Sequence, residues 1–210
     1  MIETGFGDNW AHAATCIRSG GVVAFPTDTV FGLGCSIFSD LAIEKILKLK
    51  GRSAGKGLPV LIANEHQASS LVEVNYTFQK LAKAFWPGAL TIVAPALKKK
   101  SLAVLSYRGA IGVRVPDFLP VQVLIEQAGC PIIGTSANRT GENTVPNGKA
   151  ACEEFDCELD YIVNGEVLGT NPSTVITVAE NPARLLRMGN IRTTLLRKVV
   201  PDLVVAEMIR

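Results

Sequence analysis

Residues 20–35 constrain the fold more than any other stretch of this chain. Val22-Val23-Ala24-Phe25 is an apolar, β-branched run, the pattern of a strand buried on both faces. Pro26 stops it, since proline has no N–H to give to a sheet ladder. A polar triplet, Thr27-Asp28-Thr29, follows between apolar walls, and Gly32 and Gly34 close the segment. A buried strand ending in small hydroxyls and then glycines is where α/β proteins place ligand chemistry. A turn with a capped helix behind it accounts for the same residues. Gly32-Leu33-Gly34 is not a dinucleotide fingerprint, because Ile37 stands where the third glycine belongs.

The rest of the chain alternates between two periods. Helical spacing recurs at 8–19, at 40–50 (Ala42, Ile43, Ile46, Leu47 and Leu49, stopped at Gly51), at 78–85 before Pro87-Gly88, from Pro120 to Ala128, and near 148–155. Strand-like runs lie between them at 58–62, 89–94, 111–115, 131–135, 161–163, 174–178 and 184–187. This alternation predicts an α/β fold, a single domain built on a mixed β-sheet, over residues 1–194. Residues 195–210 form a tail too short for a second domain.

Composition narrows the function classes. A formal charge of +2 creates no global field for nucleic acid, although a local concentration of Lys and Arg still can. No apolar run approaches the length of a membrane span, and no basic start leads into an apolar segment, so a cytoplasmic protein is expected. The five cysteines are odd in number and scattered, which suits reduced thiols. Cys152 and Cys157 have no His nearby, so no zinc site is expected there. His12 and His66 lack a nucleophile partner and are expected at the surface.

Polar stations interrupt the apolar framework, each at the end of a predicted strand or helix. Lys50-Gly51-Arg52-Ser53-Ala54-Gly55-Lys56-Gly57 places three cations and three glycines in eight residues. Open backbone amides beside cations suit a polyphosphate. A solvated loop with Lys50 at its helix C-terminus has the same composition. It is not a Walker A loop, because three residues separate Gly51 from Gly55 and Gly57 follows the lysine. Arg114 lies in an apolar strand, Gly112-Val113-Arg114-Val115-Pro116, where a charge must be paired or face a cavity. Gly134-Thr135-Ser136-Ala137-Asn138-Arg139-Thr140-Gly141 follows a buried strand with residues that are also ordinary in turns. Pro172-Ser173-Thr174 precedes another strand, and Arg187 ends the next. The set combines arginines, lysines, hydroxyls and an amide with no apparent His, Cys or carboxylate nucleophile. Such a toolkit binds and orients anions; it attacks nothing itself.

These residues resemble the YrdC/TsaC family of L-threonylcarbamoyl-adenylate synthases over nearly the whole chain. The resemblance rests on Pro26 to Gly34, on Lys50-Gly51-Arg52 with Lys56-Gly57-Leu58, on Trp86-Pro87-Gly88-Ala89-Leu90-Thr91, and on Gly112 to Pro116. It continues through Ser136-Ala137-Asn138 with Gly141, Pro172-Ser173-Thr174, and Leu186-Arg187-Met188-Gly189, in the expected order. Asp28 replaces the commoner Glu, Ser53 a frequent Pro, and Thr140 the usual Ser. The chain resembles the short stand-alone form, without the linker and second domain of longer members. Its Ser-Ala-Asn triplet favours the synthase over a sister branch that lacks it. Acylphosphatase and zinc-finger segments, found in the related hydrogenase-maturation carbamoyltransferases, are absent.

The resemblance implies a twisted mixed sheet surrounded by helices, with a concave basic face. It also implies a reaction: threonine's amine and bicarbonate form a carbamate, whose oxygen attacks the ATP α-phosphorus as pyrophosphate leaves. The threonylcarbamoyl-AMP then goes to a transferase complex that modifies a tRNA adenosine next to the anticodon. On this basis Lys50 and Arg52 are the catalytic cations. Arg52, Lys56, Ser136, Asn138, Thr144 and Arg187 would hold ATP. Thr27, Thr29, Arg114, Ser136 and Ser173 would hold L-threonine, with Arg114 gripping its carboxylate as a bidentate fork. No side chain is expected as a direct metal ligand. Mg²⁺ would ride on the phosphate oxygens, with Asp28 a candidate outer-shell group. The competing reading is a double-stranded RNA or tRNA-binding module of the same fold, without synthase activity. Lys98-Lys99-Lys100 adds charge for it, but an aromatic content of 6% offers little for base recognition.

Overall fold

The computed structural model describes residues 5–52, 57–97, 105–106, 108–169 and 171–205. The predicted helices start where short polar side chains cap them. Asn9 caps α1 (Trp10–Arg18), Ser39 caps α2 (Asp40–Leu49), Asn75 caps α3 (Tyr76–Phe85) and Asn147 caps α5 (Gly148–Glu154). Each cap accepts a first-turn N–H that would otherwise go unpaired. Between α3 and α5, α4 (Leu119–Ala128) carries proline in its first turn, where no N–H is missed.

The strands form two sheets, where the sequence suggests one. The first runs β1 (Gly5–Gly7), β9 (Tyr161–Val163), β2 (Val23–Phe25), β3 (Gly32–Gly34), β8 (Thr135–Ser136). The second runs β12 (Val204–Val205), β11 (Arg184–Arg187), β10 (Thr174–Thr177), β5 (Leu90–Pro95), β6 (Ala110–Arg114), β4 (Val60–Leu61), β7 (Ile132–Ile133). Both are mixed: β2 lies parallel to β9 and antiparallel to β3, while β4 lies parallel to β6 and antiparallel to β7.

The division comes at Gly134. The single strand expected over 131–135 breaks there, with β7 pairing in one sheet and β8 in the other. A Cβ at Gly134 would collide with the Leu61 side chain, so only glycine lets the chain pass this corner. The glycines expected to close a turn instead build β3. A Cβ on Gly34 would lie 2.6 Å from the Phe25 ring and 2.7 Å from the Ile133 carbonyl oxygen.

Two hydrophobic clusters hold this frame. The larger gathers Phe31, Leu33, Ile46, Phe78, Leu90 and Val113 from both sheets and two helices. The smaller lies where α1 meets α4, with Ile17, Phe25, Leu124 and Ile125 fully buried. Each such side chain contributes about 1.5–3 kcal/mol on leaving water. The stretch beyond 194 joins the same body. Leu196 of α6 (Thr193–Val199) is buried with Val200 and Leu203, and β12 pairs alongside β11.

Reduced thiols do not hold for one pair of cysteines: Cys152 and Cys157 form a disulfide, their Cα atoms 4.6 Å apart. After α5 ends, Asp156 and Cys157 take positive φ angles of 50° and 53°, which turns the chain back on the helix. Cys157 N–H then donates to the Cys152 carbonyl at 2.8 Å. Cys16, Cys35 and Cys130 are free, and His12 and His66 are exposed as expected. Among the described residues, no helix is long and apolar enough to cross a membrane.

Candidate active site

A cavity of about 450 Å³ opens between the sheets, and its walls draw on both. Thr27, Thr29, Ser136 and Asn138 come from the first sheet and its loops; Arg114, Ser173 and Arg187 come from the second. Lys50 and Arg52, at the end of α2, also line it. Among the described lining residues there is no Asp, Glu, His or Cys. Thr144 is not part of this wall, and Lys56 and the 98–100 lysines lie outside the described residues.

The turn after β2 is organised by one hydroxyl. Thr27 Oγ1 donates to the Val30 carbonyl at 2.7 Å and accepts the backbone N–H groups of Thr29 and Val30. Its proton and both lone pairs are thereby used, and Thr29 Oγ1 lies 3.0 Å away. Thr29 Oγ1 accepts in turn from Arg114 Nη1 at 2.9 Å. Thr27 is therefore committed to shaping the turn, whereas Thr29 keeps acceptor capacity for a ligand donor.

Arg114 is both paired and at a cavity. Its Nε donates to the Gly88 carbonyl at 2.8 Å, and its Nη2 meets the two oxygens of Asp28 at 2.6 and 2.5 Å. The fork predicted for a substrate carboxylate is thus engaged by one from the protein. Burial lowers the Arg114 pKa, and Asp28 opposes that shift.

Arg187 reaches the cavity through a bulge. Ile176 pairs with Leu185, but Val175 pairs with Arg187, leaving Leu186 as the extra residue. Regular pairing would set Arg187 opposite the fully buried Thr174; the extra residue puts it opposite Val175, on the cavity wall. Its Nη2 donates to the Ser173 carbonyl at 2.9 Å and to Ser173 Oγ at 3.2 Å. Ser173 Oγ also lies 2.8 Å from Thr91 Oγ1. Burial and then the charge of Arg114 lower the Arg187 pKa, so the two cations interact.

At the other end, Lys50 is 4% exposed and donates to the carbonyls of Ser136 and Asn138 at 2.5 and 2.8 Å. Its own carbonyl accepts from Thr140 N–H at 2.9 Å, so residue 50 clamps the Ser136–Thr140 loop from two sides. Burial, then repulsion from Arg52, pull its pKa down to about 8. Arg52 Nη2 donates to the Gly57 carbonyl at 2.9 Å. Asn138 gives its amide protons to the carbonyls of Arg139 and Glu142, which leaves Oδ1 buried with no donor among the described residues. A buried amide oxygen in that state is costly unless a ligand or water completes it.

The Sua5/YciO/YrdC family model, described as telomere recombination, matches residues 15–189. The chain belongs to this family. It is 35% identical to the threonylcarbamoyl-AMP synthase of Pyrococcus abyssi over 193 residues, 91% of this chain and 57% of that one. It is 33% identical to the threonylcarbamoyl-AMP synthase of Idiomarina loihiensis over 178 residues, 83% of this chain and 95% of that one. The solved structure of P. abyssi Sua5 complexed with L-threonine superposes with a TM-score of 0.88 at 32% identity, covering 98% of this chain and 62% of that one. The chain thus spans somewhat more than half of the Pyrococcus protein and nearly the whole counterpart of the Idiomarina one.

Within this Sua5/YciO/YrdC chain, three wall residues lie in motifs read from the sequence but carry no role assigned there. Thr91 and Thr135 are nearly buried, and Thr140 completes the loop beside Asn138. Thr91 carried a readable signal, a hydroxyl inside an apolar strand. The hydroxyl of Thr135, next to Gly134, resembles any turn residue.

Proposed function

We propose that this chain is a threonylcarbamoyl-AMP synthase, joining L-threonine, bicarbonate and ATP with release of pyrophosphate. The observation that carries the reading is the cavity itself, with cations at both ends and no His, Cys or carboxylate among its described lining residues to act as base or nucleophile. Threonine's amine and bicarbonate provide the carbamate that attacks, and ATP provides the leaving group. The protein has only to align them and balance charge. Lys50 and Arg52 are the catalytic cations. Arg52, Ser136, Asn138 and Arg187 hold ATP, with Lys56 and, beyond the cavity wall, Thr144 as further nucleotide contacts. Thr29, Arg114, Ser136 and Ser173 hold threonine, over a turn that Thr27 shapes. The product passes to a tRNA threonylcarbamoyl transferase complex in the cytoplasm.

Mg²⁺ fits this site through the substrate. The described residues bring no cluster of three His, Cys, Asp or Glu together, and Asp28 is engaged by Arg114. When bound, the ion neutralises phosphate charge from oxygens of ATP and water.

Pyrophosphate release from ATP tests the proposal. It should require threonine and bicarbonate together; release independent of either overturns it. An RNA-binding module of this fold would release none, and weak tRNA binding would then be its main property. Serine in place of threonine loses one methyl, worth roughly 1–3 kcal/mol in a fitted pocket. Its kcat/KM should fall about 10- to 200-fold without vanishing, and equal efficiency would remove the proposed pocket.

Lys50 adds a pH signature. With its pKa lowered to about 8, a sizeable fraction of it is neutral in the free protein at pH 8.5. A polyphosphate favours the charged form, so binding must draw a proton from solution. Affinity for a non-hydrolysable ATP analogue should weaken as pH rises through about 8. Calorimetry at pH 8.5 in buffers of different ionisation enthalpy should show that uptake, and Lys50→Arg should take up none. The linkage to stability has the opposite sense. The unfolded chain binds more protons between about 8 and 10.5, so this residue's penalty is relieved as pH rises through that window.

A further inference from the structure

The geometry points to Asp28 as the positioning residue of the threonine site, the group that fixes how Arg114 meets the substrate carboxylate. A guanidinium has five N–H groups. Gly88 O takes the one on Nε, Thr29 Oγ1 takes one on Nη1, and both Asp28 oxygens are turned to Nη2. What is left for a ligand is chiefly the second N–H of Nη1. Asp28 does not line the cavity, whereas Arg114 does. The Asp28 and Arg114 side chains are only 10% and 7% exposed, so solvent screens the pair weakly. The carboxylate therefore braces the guanidinium from behind, opposite the face the substrate meets.

The charge of Asp28 has a second consequence. Arg187, which bonds Ser173, stands near enough for Arg114 to lower its pKa, and both cations line the same cavity. Without Asp28 they would repel each other across the threonine subsite, with only the Gly88 carbonyl, Thr29 Oγ1 and the charge of Asp117 left to hold Arg114. A buried arginine held by three separate partners presents one fixed edge; one held by two neutral oxygens can swing. Asp28 thus serves orientation first. A site that needed only positive charge would gain from its removal.

This proposal rests on the threonylcarbamoyl-AMP synthase reading, and its test separates the two. Asp28→Asn keeps the side chain's size and removes its charge. The KM for threonine should rise about tenfold while the KM for ATP stays within twofold. Asp28→Glu, which restores the carboxylate, should return the threonine KM to within about threefold of wild type. A threonine KM that is unchanged or lower in Asp28→Asn overturns the proposal, the lower value identifying Asp28 as a competitor for the fork. A rise confined to ATP overturns it in favour of a phosphate or metal role. If Asp28→Asn does not fold, nitrogen-15 NMR of the wild-type arginine side chains decides. The Arg114 Nη2 protons should stay hydrogen-bonded with threonine at saturation; their release to solvent overturns the proposal. Wild type that binds no threonine by calorimetry overturns both readings, whereas wild-type binding with an indifferent Asp28→Asn overturns this one alone.

Discussion

Arg52→Lys should slow adenylate formation roughly 10²-fold or more while leaving the fold and threonine binding intact. Gly51, with φ of +57°, ends α2 and turns the chain so that Arg52 enters the cavity wall. The 2.9 Å bond from Nη2 to the Gly57 carbonyl ties the guanidinium across its own loop before any phosphate arrives. Lysine keeps the unit charge but loses the plane, and cannot both hold that carbonyl and present a paired edge to phosphate oxygens. Removing one preorganised charge-stabilising donor costs about 10²–10³ in rate. Single-turnover pyrophosphate release measures the loss, and threonine calorimetry measures what should not change. Near-normal turnover would return the loop to a solvated turn and shift the phosphate role to Lys50 or Arg187.

Arg114→Ala should be the most damaging single change, because it acts on binding and stability at once. Truncation strands the Asp28 carboxylate, whose side chain is 10% exposed, and a broken buried pair costs about 3–5 kcal/mol. Thr29 Oγ1 and the Gly88 carbonyl lose their donor as well. Threonine affinity should fall roughly 10²-fold, as expected when one partner of a buried charge pair is removed, and ATP affinity should change only a few-fold. Urea unfolding and calorimetry with each substrate read the two effects. The double variant Arg114→Met with Asp28→Leu removes both charges, so it should recover much of the stability and none of the threonine binding. Full threonine affinity in that variant would leave Arg114 as an ion pair that serves the fold alone.

Local physics was legible in the sequence, and long-range partnership was not. The faces of α2 and α3 could be read from a 3.6-residue spacing, since a period is a property of neighbouring residues, while the Asn75 cap that starts α3 at Tyr76 was seen only in the structure. The strand around Arg114 posed a sharp question, a partner or a cavity, and the structure answers with both. That partner lies 86 positions away, in a turn whose own residues look adequate as a cap. Arg187 could be placed at the end of a strand, but the bulge that aims it exists only in the pairing of β10 with β11. Gly134 looked like a residue inside one strand, and its role as a corner depends on where Leu61 stands. The pairing of Cys152 with Cys157 hinges on positive φ angles at two non-glycine residues, which no spacing rule would suggest.

The strand that changes sheets at Gly134 has a consequence for how the molecule comes apart. Ile132 and Ile133 are bonded to β4, and Thr135 and Ser136 to β3, so five consecutive residues belong to both halves of the frame. Neither sheet can peel away without dragging out the other's edge and dismantling the cavity wall between them. Binding energy gained anywhere in that cavity is therefore felt by the whole cooperative unit, not by a local flap. The cavity and the fold should therefore melt together, which makes a ligand's grip on one legible in the melting of the other.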